Sequence, residues 1–302
     1  MDYYWCNLIP IYRDFIMSCY NTKSNSSEFS NHSNSLSSYS IDKVVEVLNK
    51  EFEFDIEADS WMLMKTPWAV LGIIGVYSLF VLKIGPQLME KRKPFNLKHI
   101  MMAYNILQLL FNGYMLSRYF QPGLISSLVK HGCSLDATDL NEKHNLRKIT
   151  NEMIWLYLIN KICDLMDTVF FVLRKKQSHV SFLHLYHHMN MVISSWVCMR
   201  FFKNHHVILV GSLNLIVHVV MYTYYFLAAM GPQIQKYLWW KVYLTRLQLV
   251  QFMIAILYFV SLFIFDCSFP KVFISYVILN ITFFLYLFTM FYLKTYKKVK
   301  PE

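Results

Sequence analysis

The sequence predicts an all-α integral membrane protein with seven transmembrane helices in one bundle. Three observations carry this expectation. Of 302 residues, 56% are apolar types and only 16% are charged, against roughly 25% charged in soluble domains. The apolar residues gather in runs of about 20, the length a helix needs to cross the hydrocarbon core of a bilayer. The net charge of +10, from 29 basic and 19 acidic residues, sits mainly at the ends of those runs. That placement fits membrane topology and argues against a nucleic-acid-binding face. The apolar content also excludes a mainly disordered chain.

The first 60 residues form a separate N-terminal extension. Residues 21–40 are rich in Ser and Asn and are expected to be disordered, with glycosylation patterns at Asn25 and Asn31. Residues 1–20 lack a basic start and do not read as a signal peptide. Residues 41–54 place apolar side chains at helical spacing and suit a membrane surface. A helical domain over 61–296 follows, then a cytosolic tail over 297–302. The expected spans are 67–84, 100–119, 152–173, 180–202, 207–230, 241–265 and 271–293.

Orientation follows from the positive-inside rule. Lys91, Arg92, Lys93 and Lys98 lie between the first two spans, and Arg174, Lys175 and Lys176 between the third and fourth. Lys236, Lys241 and Arg246 lie near the fifth-to-sixth connection, and Lys294, Lys297, Lys298 and Lys300 near the end. These segments alternate correctly to be cytosolic, which makes the N-terminus luminal and the C-terminus cytosolic. Lys298 and Lys300 also resemble a dilysine retrieval signal of endoplasmic reticulum membrane proteins. The six cysteines include no CxxC and no zinc spacing.

Ionisable side chains at membrane depth are costly and mark function. Four clusters contain them. Lys161, Asp164, Asp167 and Thr168 share one helix face. His184, His187 and His188 follow at i, i+3 and i+4, and imidazole can serve as ligand, base or nucleophile near neutral pH. Asn214, His218, Tyr222 and Tyr225 form a single stripe. Thr245, Gln248 and Gln251 lie on successive turns, and would serve either as ligand contacts or as interhelical hydrogen-bond partners.

Two other readings compete. A membrane di-iron desaturase or hydroxylase also uses HxxHH, but four histidines at depth are too few for two metals. A seven-helix receptor shares the span count. However, it has no need of clustered histidines and aspartates, and no Asp-Arg-Tyr or Asn-Pro-x-x-Tyr stands in the expected places.

The order of the clusters then becomes specific. KICDLMDT, HLYHH, NLIVHVVMYTYY and TRLQLVQ resemble the KxxExxDT, HxxHH, NxxxHxxMYxYY and TxxQxxQ patterns of the very-long-chain fatty acid elongases, 3-ketoacyl-CoA synthases of the endoplasmic reticulum. The resemblance runs from about Asp59 to about Tyr296. It departs at Asp164, where the family has glutamate, and at the KNHHVILVG loop, where a Pro-Gly-Gly turn is usual.

The resemblance implies condensation of a long-chain acyl-CoA with malonyl-CoA through an acyl-imidazole, without a metal or other cofactor. It implies His187 as nucleophile, His218 as its assistant, and His184 and His188 completing the cluster. Asp164 and Asp167 would orient imidazoles, and Lys161 would balance their charge. Asn214, Tyr222, Tyr225, Thr245, Gln248 and Gln251 would contact the substrate. Arg174, Lys175, Lys176, Lys241 and Arg246 would meet the CoA phosphates. The helices would enclose an acyl-chain tunnel, and Cys133 would pair with Cys267 in the lumen. The resemblance is compatible with a homodimer and with association with the reductase and dehydratase of the elongation cycle.

Overall fold

The computed structural model describes residues 55–121, 124–126, 133, 140–267 and 269–296. The glycosylation patterns at Asn25 and Asn31, the 21–40 and 41–54 segments and the 297–302 tail lie outside the described residues. Within them all regular structure is helical. A short helix, α1 (Ile56–Asp59), is followed by α2 (Pro67–Met89), α3 (Lys98–Tyr119), α4 (Leu140–Asp164), α5 (Met166–Leu173), α6 (Phe182–Phe201) and α7 (His206–Met230). A single turn, α8 (Pro232–Gln235), then leads to α9 (Lys241–Ile264) and α10 (Lys271–Tyr296).

Four helices, α2, α7, α9 and α10, are long and apolar enough to cross a membrane by length and composition. Their outer faces carry exposed apolar side chains such as Val76, Leu257, Val272 and Leu279. In water such a belt would be a large aggregation-prone patch, whereas lipid covers it at no cost. The expected second, third and fourth spans correspond to α3, α4–α5 and α6, whose polar stripes lower their apolar character. α3, for instance, buries Asn105, Gln108 and Asn112.

The elements begin and end where local chemistry dictates. Pro67 opens α2 and Ser181 caps α6 by accepting from the His184 amide at 3.3 Å. Pro86 cannot donate to the carbonyl ladder, and the turn before it, Phe80–Ile84, widens into a π-helix. Gly85 follows because a Cβ there would lie 2.6 Å from Val172 Cγ1 and 2.8 Å from the Phe80 carbonyl. α7 stops at Gly231, whose φ of 125° favours glycine, with Pro232 next.

The expected third span, 152–173, is two helices. α4 starts about three turns earlier, in the polar segment 140–151, which an apolar scan passes over although it is helical. At Leu165 the ladder shortens to i−3 bonds, Leu165 N to Ile162 O and Thr168 N to Leu165 O. There the Tyr104 hydroxyl donates to the Cys163 carbonyl at 3.1 Å, taking an acceptor from the ladder.

Helix contacts close a ring in the order α3, α7, α9, α10, α6, α4 and back to α3, with α2 packed outside on α5 and α6. α3 and α7 pack most extensively; α6 and α10 touch least. That seam is stitched by a reciprocal amide pair, Asn190 Nδ2 to Asn280 Oδ1 at 3.0 Å and Asn280 Nδ2 to Asn190 Oδ1 at 3.2 Å. α1 locks the ring near the 200–206 turn. Asp55 caps α1 and receives Asn151 and Arg147 from α4, while Asp59 pairs with Arg200 and Lys203.

Candidate active site

The first and third sequence clusters meet inside the ring. Lys161, 1% exposed, donates to Asp164 Oδ2 at 2.9 Å and lies 3.4–3.5 Å from both ring nitrogens of His218. The same carboxylate oxygen is 3.5 Å from His218 Nδ1. Its other oxygen accepts from Gln108 Nε2 at 2.7 Å and from the Tyr222 hydroxyl at 2.8 Å. Tyr222, fully buried, also lies 2.9 Å from Asp167 Oδ2. Charges this deep persist only when paired and hydrogen-bonded, and here the Asp164 carboxylate has four partners from three helices.

The histidine box sits on α6 beside this cluster. The His184 and His188 rings meet at a tilt of 53° with centroids 4.2 Å apart, and His184 Nε2 is 2.9 Å from Thr168 Oγ1, which accepts from Tyr77 at 2.7 Å. His187 differs from His184. Its ring rests on Phe284 and Phe288 and meets His188 edge-on, and it makes no hydrogen bond to another described residue. Neither carboxylate reaches the box: Asp164 turns to His218, and Asp167 to Tyr222. No set of three or more His, Cys, Asp or Glu among the described residues is arranged to hold a metal ion.

His187 opens onto a cavity of about 170 Å³. Its wall is apolar for most of its length, with Met191, Phe252, Ala255, Phe259, Phe273 and Phe284 among the lining residues. At about 1.5 Å of rise per residue, the wall from His187 to Cys198 runs roughly 16 Å along α6. Of the residues picked from sequence, His187, Asn214 and Gln251 line it. Asn214 accepts from Tyr157 at 2.8 Å. Thr245 is buried, Gln248 half-buried, and the Tyr225 ring lies against Tyr222 at 6.0 Å.

Comparison with known proteins decides what this site belongs to. Residues 62–302 match the family model described as ELO: GNS1/SUR4 family. The chain belongs to the ELO family. It is 40% identical to a very long chain fatty acid elongase of Aedes aegypti over 248 residues, 82% of this chain and 68% of that protein. It is 39% identical to very long chain fatty acid elongase 4 of Homo sapiens over 247 residues, 82% of this chain and 77% of that one. The rat elongase 7 is 39% identical over 246 residues, 81% of this chain and 86% of that one. Membership and the four apolar helices together make this a multi-pass membrane protein.

One group of basic residues of this ELO chain, Arg174, Lys176 and Lys241, lies around His179 at the end of the ring next to the box. Arg174 and Lys175 close α5, with Arg174 Nη1 against Met101 Sδ and Lys175 Nζ donating to the Glu90 carbonyl. Partial burial, followed by the nearby charges of Lys241, Lys176 and Arg174, holds His179 below its ordinary value. Arg246 stands apart, taken up by the Tyr292 hydroxyl and the Tyr243 and Tyr292 rings. At the opposite end Cys133 is disulfide-bonded to Cys267.

The sequence reading passed over α3. Tyr104 and Gln108 join the carboxylate cluster, and Asn105, Gln108 and Asn112 are buried. Their i, i+3, i+7 spacing inside an apolar run was the available signal. Asn190 and Asn280, which line the cavity, carry no comparable pattern because they lie on two separate helices.

Proposed function

We propose that the protein elongates long-chain acyl-CoA by condensation with malonyl-CoA, giving a 3-ketoacyl-CoA two carbons longer, CO2 and CoA. The observation that carries this reading is His187 at the head of a long apolar cavity, alone of the box on its wall, with its imidazole free of hydrogen bonds to other described residues. The relatives' names, very long chain fatty acid elongases, support it.

In the first step an imidazole nitrogen of His187 attacks the thioester carbonyl. The C–S bond breaks and CoA leaves as the thiol, having taken the imidazole proton. In the second step malonyl-CoA loses CO2. The electron pair left on its C2 attacks the acyl carbonyl, the C–N bond breaks, and the imidazole regains a proton. Acyl-imidazoles are reactive enough for this transfer. His218, held by Lys161 and Asp164, stands within electrostatic reach of His187 and assists the decarboxylation or the transfer. Asn214 and Gln251 hydrogen-bond the substrate near the reacting carbon, and the cavity serves as the acyl-chain tunnel.

The cation group at Arg174, Lys175, Lys176 and Lys241 supports entry of the CoA phosphates from the cytosolic side. Seven crossings follow if α3, α4–α5 and α6 also span with their polar stripes inward. The Cys133–Cys267 bond suits an oxidising lumen, which supports an endoplasmic reticulum location with the C-terminus cytosolic. No metal or other cofactor enters the scheme. Intact mass after incubation with acyl-CoA alone tests it: wild type gains one acyl mass and His187→Ala gains none. A fully active wild type that never carries the acyl mass would overturn the two-step route.

A further inference from the structure

Gln108 comes from α3, where the proposed chemistry names no residue. Its side chain is 3% exposed. The amide nitrogen is 2.7 Å from Asp164 Oδ1, 3.2 Å from the Tyr104 hydroxyl and 3.4 Å from the Tyr222 hydroxyl. The shortest of these is a charge-assisted bond, the strongest kind available to a neutral amide. Its own backbone carbonyl is held by Asn112 Nδ2 at 2.7 Å, so the helix around it is pinned as well.

The two oxygens of Asp164 have different tasks. Oδ2 faces Lys161 and His218; Oδ1 faces Gln108 and Tyr222. The last torsion of an aspartate is broad, so nothing in the side chain itself fixes the carboxylate plane. Tyr222 cannot fix it alone, because its hydroxyl has a single proton and also lies 2.9 Å from Asp167 Oδ2. The Gln108 amide, fed from a different helix, removes that freedom.

We propose that Gln108 is a positioning residue for the condensation: it fixes the Asp164 carboxylate so that Oδ2 stays on Lys161 and His218. The inference rests on the condensation reading above. Gln108 does not line the cavity and makes no hydrogen bond to a histidine among the described residues, so its influence passes through Asp164.

Two variants of nearly equal shape test it in the full-length protein, in detergent or membranes. Gln108→Met keeps the length and removes both donors. Gln108→Glu keeps the shape; its carboxyl donates to Asp164 when protonated and repels it when ionised. The groups facing this position are Asp164 and Lys161 of α4, Asp167 of α5, His218 and Tyr222 of α7, and Tyr104 of α3. The box histidines His184, His187 and His188 of α6 stand beside them. Malonyl-CoA incorporation should fall about tenfold or more in kcat for Gln108→Met with little change in KM for acyl-CoA. Gln108→Glu should regain activity as pH is lowered, giving a pH profile displaced to the acid side of wild type. A Gln108→Glu profile that overlays wild type, with Gln108→Met lowering only the unfolding temperature, would reduce Gln108 to packing and overturn the proposal. Where Gln108→Met does not fold, the Gln108→Glu profile decides alone. Wild type that incorporates no malonyl unit would overturn the condensation reading itself, a different failure.

Discussion

The Tyr222 hydroxyl lies 2.8 Å from Asp164 Oδ1 and 2.9 Å from Asp167 Oδ2, so one phenol bridges two carboxyl groups across the Leu165 break. Without it, two like groups would face each other in a space closed to water. Tyr222→Phe keeps the ring and removes the bridge. The expected cost is about 1–3 kcal/mol of stability, the usual penalty for a buried polar group left without its partner. Condensing activity should be lost as well. Thermal unfolding and malonyl-CoA incorporation on the same preparation check both effects.

Ala255 lies one turn beyond Gln251 along α9, on the cavity wall and 1% exposed. Ala255→Phe places an aromatic ring in the space proposed for the acyl chain. Activity on long acyl-CoA should fall while shorter acyl-CoA is still extended. An unchanged chain-length profile would show that the chain runs elsewhere.

Arg174, Lys176 and Lys241 surround His179 and carry the proposed phosphate contacts. Replacing all three by Ala should raise KM for acyl-CoA several-fold and flatten its dependence on ionic strength, with kcat nearly kept. Steady-state kinetics at two salt concentrations provide the check.

Burial alone would lift the Asp55 carboxyl. The Ala58 amide, Arg147, Asn151 and Lys203 outweigh it and hold the group below its ordinary value of 3.8. A carboxyl lowered on folding stabilises above its unfolded pKa, and that contribution disappears as pH falls through the folded value. Asp55→Asn keeps a capping side chain and removes the charge. It should therefore unfold at a lower temperature than wild type at pH 7, and the gap should close as pH falls below about 3.8.

The Cys133–Cys267 bond ties positions 134 residues apart. On the chain-entropy view, closing a loop of that size stabilises by roughly 4–5 kcal/mol. Cys267→Ser should lower the unfolding temperature, and both thiols of wild type should take up alkylating reagent only after reduction. Their ready alkylation without reductant would contradict the pairing.

The sequence by itself determined the helical class, the apolar helices, the membership of each polar cluster and the family. Helix periodicity is local: it places Lys161 and Asp164, or His184 and His188, on one face whatever surrounds them. It also gave His187, Asn214 and Gln251, all three of which line the cavity. Tertiary structure decided which clusters touch. It turned Asp164 toward α3 and α7 and Asp167 toward Tyr222, and it set His187 alone of the box on the cavity wall. It also brought in Tyr104 and Gln108, and it broke the helix at Leu165. These pairings depend on how each helix is rotated and which helix stands beside it in the ring. Rotation and neighbour order come from side chains more than 50 residues apart in the chain packing together, and no spacing within one helix encodes them.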